Sequence, residues 1–362
     1  MPTPSPSQKS LSLLSRLLFP QISPKGQGLT SEIAAITRDE FDDLVTLANL
    51  NHVIIRGMET FLQIARDAQD EVRAEWAVTA LATERARISN AMPFLGAICD
   101  AFQEEGLDVT VIKSLDHWPD LGSDLDLYTN ASSEAVAALM SKRFQAQIAA
   151  RSWGDRLARK WNFDIPGLPE AVEIHMGRLG QTGEQVIIAS SLVSRARLVQ
   201  VGEHTFRVPA VSDRLMISTL QRMYRHFYFR LCDIVDSAGL VEAGAIDYED
   251  LRSAANAAGI WEGVATYLAI VSDYVKQYRG TGLDLPQFVT ASARFGGEQV
   301  FYARAFLRVP IMPQSAKLYG SQLTGMIQKG ELQSSARLSL LPWLATAAAV
   351  GQKITGSDKG IW

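Results

Sequence analysis

Apolar residues return at intervals of three and four from about Thr30 to Gly106, first in EFDDLVTLANLNHVIIRGMETFLQIARDA and then in EVRAEWAVTALATERARISNAMPFLGAICDAF. That period matches an α-helix with one buried face, so the stretch predicts helices, with Gly106 ending the last as a C-cap does. Beyond it the period changes to two. VTVIK (109–113) is short and β-branched, DLDLY (124–128) alternates strictly, and AVEIHM (171–176) alternates again; such runs predict strands with one face buried. Between them SSEAVAALMSKRF predicts a helix with Ser132 or Ser133 as N-cap, while QAQIAARSW and RKWNFDIP are two more strand candidates. After HTFRVPA the helical period resumes in SDRLMISTLQRMYRHFYFRLCDIVDSAGL and continues towards the end.

The pattern predicts an α+β fold: a small mixed sheet of four or five strands, helices before it and a larger helical part after it. It divides the chain into a flexible lead-in (1–28) carrying a short amphipathic helix from Leu11 to Leu18, an N-terminal helical segment (29–106), an α/β core (107–209) and a C-terminal helical domain (210–362). With 362 residues and 47% hydrophobic content a sizeable core is available. The formal charge of −4 gives no overall basic footprint, which argues against broad nucleic-acid or anionic-membrane binding and favours small ligands.

Cys99 and Cys232 are the two cysteines, far apart and in runs that read helical, so neither a disulfide framework nor a zinc site is expected and a reducing cytoplasm is the expected location. Ser15, Arg16 and Pro20 interrupt the apolar start as a signal peptide's core would not be. No run of about eighteen apolar residues occurs, so no transmembrane helix is expected. The tail LSLLPWLATAAAVGQKITG, broken by Pro342, reads as a closing helix or as a docking segment for a membrane surface or a protein partner. P-loop, dinucleotide and G-x-S-x-G signatures are absent.

The candidate chemistry sits on the alternating strands. Asp124 and Asp126 share one side of their strand and Leu125 and Leu127 take the other, while Glu173 and His175 oppose Val172, Ile174 and Met176. If the two strands pair, Glu173 comes within about 5 Å of an aspartate. Three carboxylates that close raise one another's pKa unless something compensates, and a divalent cation does so. Oxygen-only ligands favour Mg²⁺ or Mn²⁺, which with substrate phosphates support in-line displacement at phosphorus.

The stretch VIKSLDHWPDLGSDLDLYT followed by VEIHM resembles the nucleotidyltransferase-like proteins of the DNA polymerase β superfamily. More narrowly, IKS (112–114), SDLDLY (123–128), VEIHM (172–176) and RHFYFRLCDIVD (225–236) are similar, in order, to an uncharacterised bacterial nucleotidyltransferase family. The superfamily's turn carries Gly followed by Gly or Ser; this chain has Lys113, Ser114 and Leu115 there. The resemblance implies that Asp124, Asp126 and Glu173 bind metal and form the catalytic set, Glu173 also helping to deprotonate the acceptor. Lys113, Ser114, Ser123 and His175 would lie beside the phosphates of ATP or another nucleoside triphosphate. RMYRHFYFRLCDIVD is expected to be a helix covering the cleft, with a local Arg230 to Asp233 ion pair.

The implied function is Mg²⁺-dependent transfer of a nucleotidyl group to an acceptor: a small molecule, a peptide or an RNA end. The alternatives are a catalytically silent protein that uses the same fold to bind a partner, and a metal-dependent phosphodiesterase.

Overall fold

In the computed structural model, residues 8–20, 27–344 and 347 are described. Five helices come first: α1 (Gln8–Leu18), α2 (Gln27–Ala35), α3 (Arg38–Leu50), α4 (Ile54–Asp67) and α5 (Glu71–Glu104). The helical period through residues 40–68 is cut between α3 and α4, where His52 takes a φ of 53°. The cut has a tertiary cause: the Asn51 side chain donates to the Ala305 carbonyl at 3.1 Å and accepts from the Leu231 N–H at 3.0 Å. Far from being part of a loose leader, α1 is packed into the core, with Leu11, Leu13, Leu14 and Leu17 buried and Ser15 Oγ bonded to Tyr274 Oη at 2.6 Å.

The sheet follows: β1 (Thr110–Val111), β2 (Asp124–Thr129), α6 (Ser133–Phe144), β3 (Gln147–Ile148), α7 (Trp153–Ala158), β4 (Lys160–Asp164) and β5 (Ala171–Met176). Its order is β1-β2-β5-β4-β3, with β2 and β5 parallel and the other neighbours antiparallel. Ser132 caps α6 by accepting from the Ala135 N–H. The strand expected over QAQIAARSW is only two residues long; Ser152 and Asp155 form a capping box that starts α7 instead.

After β5 come α8 (Val186–Ser194), the hairpin β6 (Arg197–Val201) and β7 (His204–Val208), α9 (Val211–Thr219) and a wide helical turn at Leu220–Arg225. β8 (Tyr228–Phe229) interrupts the helix expected over 212–240, and α10 (Leu231–Glu242) resumes it. Phe227, at φ 54°, turns the chain. α11 (Tyr248–Ala257), α12 (Trp261–Arg279), α13 (Gln287–Ser292), β9 (Phe301–Ala303), β10 (Phe306–Arg308), α14 (Ala316–Gln328) and α15 (Leu332–Leu338) complete the α+β architecture. β10 pairs with both β8 and β9.

One hydrophobic cluster runs from Leu11 in α1 to Leu318 in α14. Leu125, Leu127, Val172 and Ile174 belong to it with no exposed surface, which leaves the opposite face of β2 and β5 for polar groups. Among the described residues no helix is long and apolar enough to cross a membrane. Most of the tail expected to close the fold or dock lies outside the described residues.

Candidate functional site

The parallel register of β2 and β5 sets Asp126 directly beside Glu173 and Tyr128 beside His175. Period-two alternation then turns Asp124, Asp126, Glu173 and His175 to one face. Ligand atoms of Asp126, Glu173 and His175 lie within 4.8 Å of one another. Asp124 stands two residues earlier, exposed at the mouth of the pocket that Asp126 and Glu173 line. That pocket holds about 720 Å³ of empty space, and Ser114, Ser123 and His117 also line it.

Lys113 enters from the end of the first strand by unusual means. Its backbone is at φ 64° and ψ −56°, and the Ser114 N–H donates to the Ile112 carbonyl at 2.7 Å, a γ-turn centred on a residue with a side chain. Such a conformation costs about 1–3 kcal/mol and persists where surrounding contacts enforce it. Ser114 supplies some of them: its hydroxyl accepts from the Asp126 N–H at 2.7 Å and donates to the Asp124 carbonyl at 3.2 Å. The turn brings the Lys113 ammonium between the carboxylates, paired with Asp126 and 3.3 Å from Glu173.

Glu173 is surrounded by donors. Lys160 Nζ lies 2.9 Å from one of its oxygens and 2.8 Å from Asp155, and His175 Nε2 lies 2.8 Å from the other. The result is an alternating chain of charge from Asp155 through Lys160, Glu173 and Lys113 to Asp126. Burial works against ionised Glu173, but Lys113, His175 and Lys160 outweigh it and hold its pKa well below the usual range. Asp126 goes the other way: burial, reinforced by Glu173, raises its pKa in spite of Lys113. Burial also pushes His175 down to about 4, so near neutral pH its imidazole is uncharged, with Nε2–H donated to Glu173 and Nδ1 left buried without a partner.

The wall facing the carboxylates is cationic. Arg222, Arg225, His226 and Arg230 line it, carried by the wide turn, β8 and the start of α10. The segment expected to form a covering helix does cover the pocket, but as a turn and a strand. Asp233 pairs with the buried Arg222, whose Nε lies 2.7 Å away, rather than with the Arg230 side chain; it accepts only the Arg230 backbone N–H. Arg225 and Arg230 pair with no carboxylate among the described residues. No known protein family and no characterised protein matches the chain.

A second titratable cluster adjoins the pocket through His117 and joins residues 115 positions apart in the chain. His117 Nδ1 is 2.5 Å from Asp236 and its Nε2 is 3.7 Å from the Cys232 sulfur. Asp236 is bridged by Arg56 to Asp120 at 2.6 and 2.7 Å. Burial opposes protonation of His117, but Cys232 and Asp236 outweigh it and raise its pKa well above the ordinary value. Both cysteines are free thiols.

Of the residues singled out from the sequence, Lys113, Ser114, Ser123, Asp124, Asp126 and Glu173 line one pocket, and His175 stands behind Glu173. Sequence reasoning missed Lys160, Asp155, His117 and His52. For Lys160 a signal existed: in KWNFD, Lys160 and Asn162 alternate with Trp161 and Phe163, which marks the face that Lys160 shares with its antiparallel partner His175.

Proposed function

We propose that the chain is a Mg²⁺-dependent nucleotidyltransferase with the sheet core of the DNA polymerase β superfamily, acting on a nucleoside triphosphate and an acceptor bearing a hydroxyl or amine. The observation that carries this reading is the polarity of the pocket: carboxylates of two adjacent parallel strands on one wall, and on the other Arg225 and Arg230, which have no carboxylate partner among the described residues. An anionic substrate accompanied by a divalent cation satisfies both walls at once.

The open-side donors fit a hard cation, since Asp124 and Asp126 offer oxygen alone, and burial raises the pKa of Asp126 further than the paired Lys113 lowers it. Mg²⁺ bound there would neutralise phosphate charge and polarise the phosphorus under attack. Asp124 and Asp126, on the open side, would hold it. Arg225 and Arg230 bind the phosphate oxygens, and Lys113 balances charge at the junction between phosphate and carboxylates. Glu173, contacted by Lys113, Lys160 and His175, holds the two lysines in place, and in this arrangement a proton from the acceptor has to compete with those three donors for it.

Calorimetry with ATP and Mn²⁺ tests the reading. Binding of ATP that needs the metal and disappears in Asp126→Asn supports it; ATP binding indifferent to metal and to that substitution defeats it. Release of products with no acceptor consumed, read by mass spectrometry, would indicate a phosphodiesterase.

One observation favours the silent alternative. Lys113 and Lys160 already neutralise Asp126 and Glu173, so a tethered ammonium holds the place a metal would take. On that reading the wild-type chain binds no Mn²⁺, and Lys113→Ala gains it.

A further inference from the structure

The chain is acidic overall, yet one groove gathers uncancelled positive charge at the far ends of the parallel strands. About 1080 Å³ of open space is lined by Arg151, Arg156, Arg159 and Trp161, with Ser132 at the N-terminus of α6 and Gly177 just after β5. None of the three arginines forms an ion pair among the described residues, and Glu134 is the one carboxylate in the lining. Arg178 and Arg337 stand close behind: their side chains bond backbone carbonyls of Gly183, Leu157 and Thr182 rather than acids. Burial, then the charges of Arg337 and Arg159, push the Arg178 pKa down, so Arg178 stands in the field of both.

Two indole platforms accompany the charge. The Arg151 guanidinium lies 4.4 Å from the Trp161 ring centroid, and Arg156 lies 5.8 Å from that of Trp153, which is 63% exposed. Trp161 lines the groove, and Trp153 projects from α7 beside Arg156, which lines it, so each indole stands next to a groove arginine. A ligand that alternates phosphate with a planar base matches that pairing; a single phosphate group would use one arginine and leave the indoles idle. Stacking on an indole needs an unpaired base, which selects a single strand over a duplex. The 12-residue helix α6 adds its positive end to the floor.

We infer that this groove binds single-stranded nucleic acid, its phosphates held by Arg151, Arg156 and Arg159 and its bases stacked on Trp161 and Trp153. The site is separate from the carboxylate pocket and does not depend on the chemistry proposed there.

Fluorescence anisotropy of a labelled single-stranded oligonucleotide of about ten nucleotides tests it, with a duplex of the same sequence in parallel. Arg156 and Arg159 are exposed, and Arg159 has a φ of 51°, which asparagine tolerates, so Arg156→Glu with Arg159→Asn leaves the fold intact. The single strand binds the wild-type chain more tightly than the duplex and quenches indole fluorescence. The double variant loses about tenfold or more in affinity, and its slope of log affinity against log salt falls by about 1.4, two contacts at about 0.7 each. Should that variant melt early, Arg156→Glu alone shows about half the change in slope. Asp126→Asn keeps strand binding even if it abolishes ATP binding, which separates failure of this site from failure of the other. Equal binding of the duplex, unchanged affinity in the arginine variants, or no binding at low salt overturns the inference.

Discussion

Glu173 shows at the scale of one residue how the site is held. Its carboxylate is shared by Lys113, Lys160 and His175, and each lysine has a second acid, Asp126 or Asp155. Removing one partner of a buried pair with no other support costs about 3–5 kcal/mol. Because both lysines keep their second acid, Glu173→Gln is expected to cost less, about 2–3 kcal/mol in chemical denaturation. Asp126→Asn behaves differently: the amide replaces a carboxylate whose pKa is already raised by burial. It should leave the melting temperature within a few degrees while abolishing Mn²⁺ binding, and Mn²⁺ retained in calorimetry would remove Asp126 from the ligand set. The aspartate pair was legible from alternation alone. The lysines that compensate it were not, because compensation depends on which strands become neighbours.

Elements give a second measure of what the sequence reveals. β2 and β5 were readable because strict alternation persists over five or six residues against a core that takes every second side chain. The interruption between α9 and α10 was not readable, since QRMYRHFYFRL contains neither Gly nor Pro and keeps helical spacing. Its cause lies about 80 residues downstream: Tyr228 and Phe229 pair with Arg308 and Leu307 of β10, and strand pairing replaces the helical hydrogen bonds. The role of α1 was likewise hidden by its polar, proline-rich flanks. Leu14 has no exposed surface, and a methyl group added at Gly57 of α4 would meet its side chain at 2.9 Å. Leu14→Ala is therefore expected to cost about 2–4 kcal/mol, as for a central core position, measured as a shift in urea midpoint. A cost below about 0.5 kcal/mol would mean that α1 is only loosely attached.

The whole molecule titrates in a way that follows from its buried histidines. Burial, aided by Arg230 for His52 and by Arg225 for His226, holds both pKa values well below 6.5, and burial takes His175 down to about 4. Below pH 6.5 the unfolded chain takes up protons that the folded chain refuses at these three sites, so stability falls as pH drops from about 6.5 towards 5. Each refused proton contributes about 1.4 kcal/mol per pH unit. His117 acts in the opposite sense: its raised pKa stabilises the fold below pH 6.5, and that contribution is lost as pH rises through its folded value. Asp126, whose carboxyl burial raises to about 8, also binds a proton in the folded chain that the unfolded chain releases and so offsets one of the three histidines; urea midpoints recorded from pH 6.5 down to 5 should still decline towards acid, and His175→Gln should flatten the decline. An unchanged slope in that variant would mean that His175 is protonated in the folded protein.

The sequence by itself determined the strands of the site, the side each carboxylate takes, and the class of the fold, because these depend on local period and on which side chains leave water. Only the tertiary structure decided what faces the carboxylates. Arg225, Arg230 and His117 reach the pocket, and Lys160 reaches Glu173, through strand order, a strained turn at Lys113 and a helix broken by a distant strand. Those are long-range pairings, and their energy comes from partners that no local window of the chain contains.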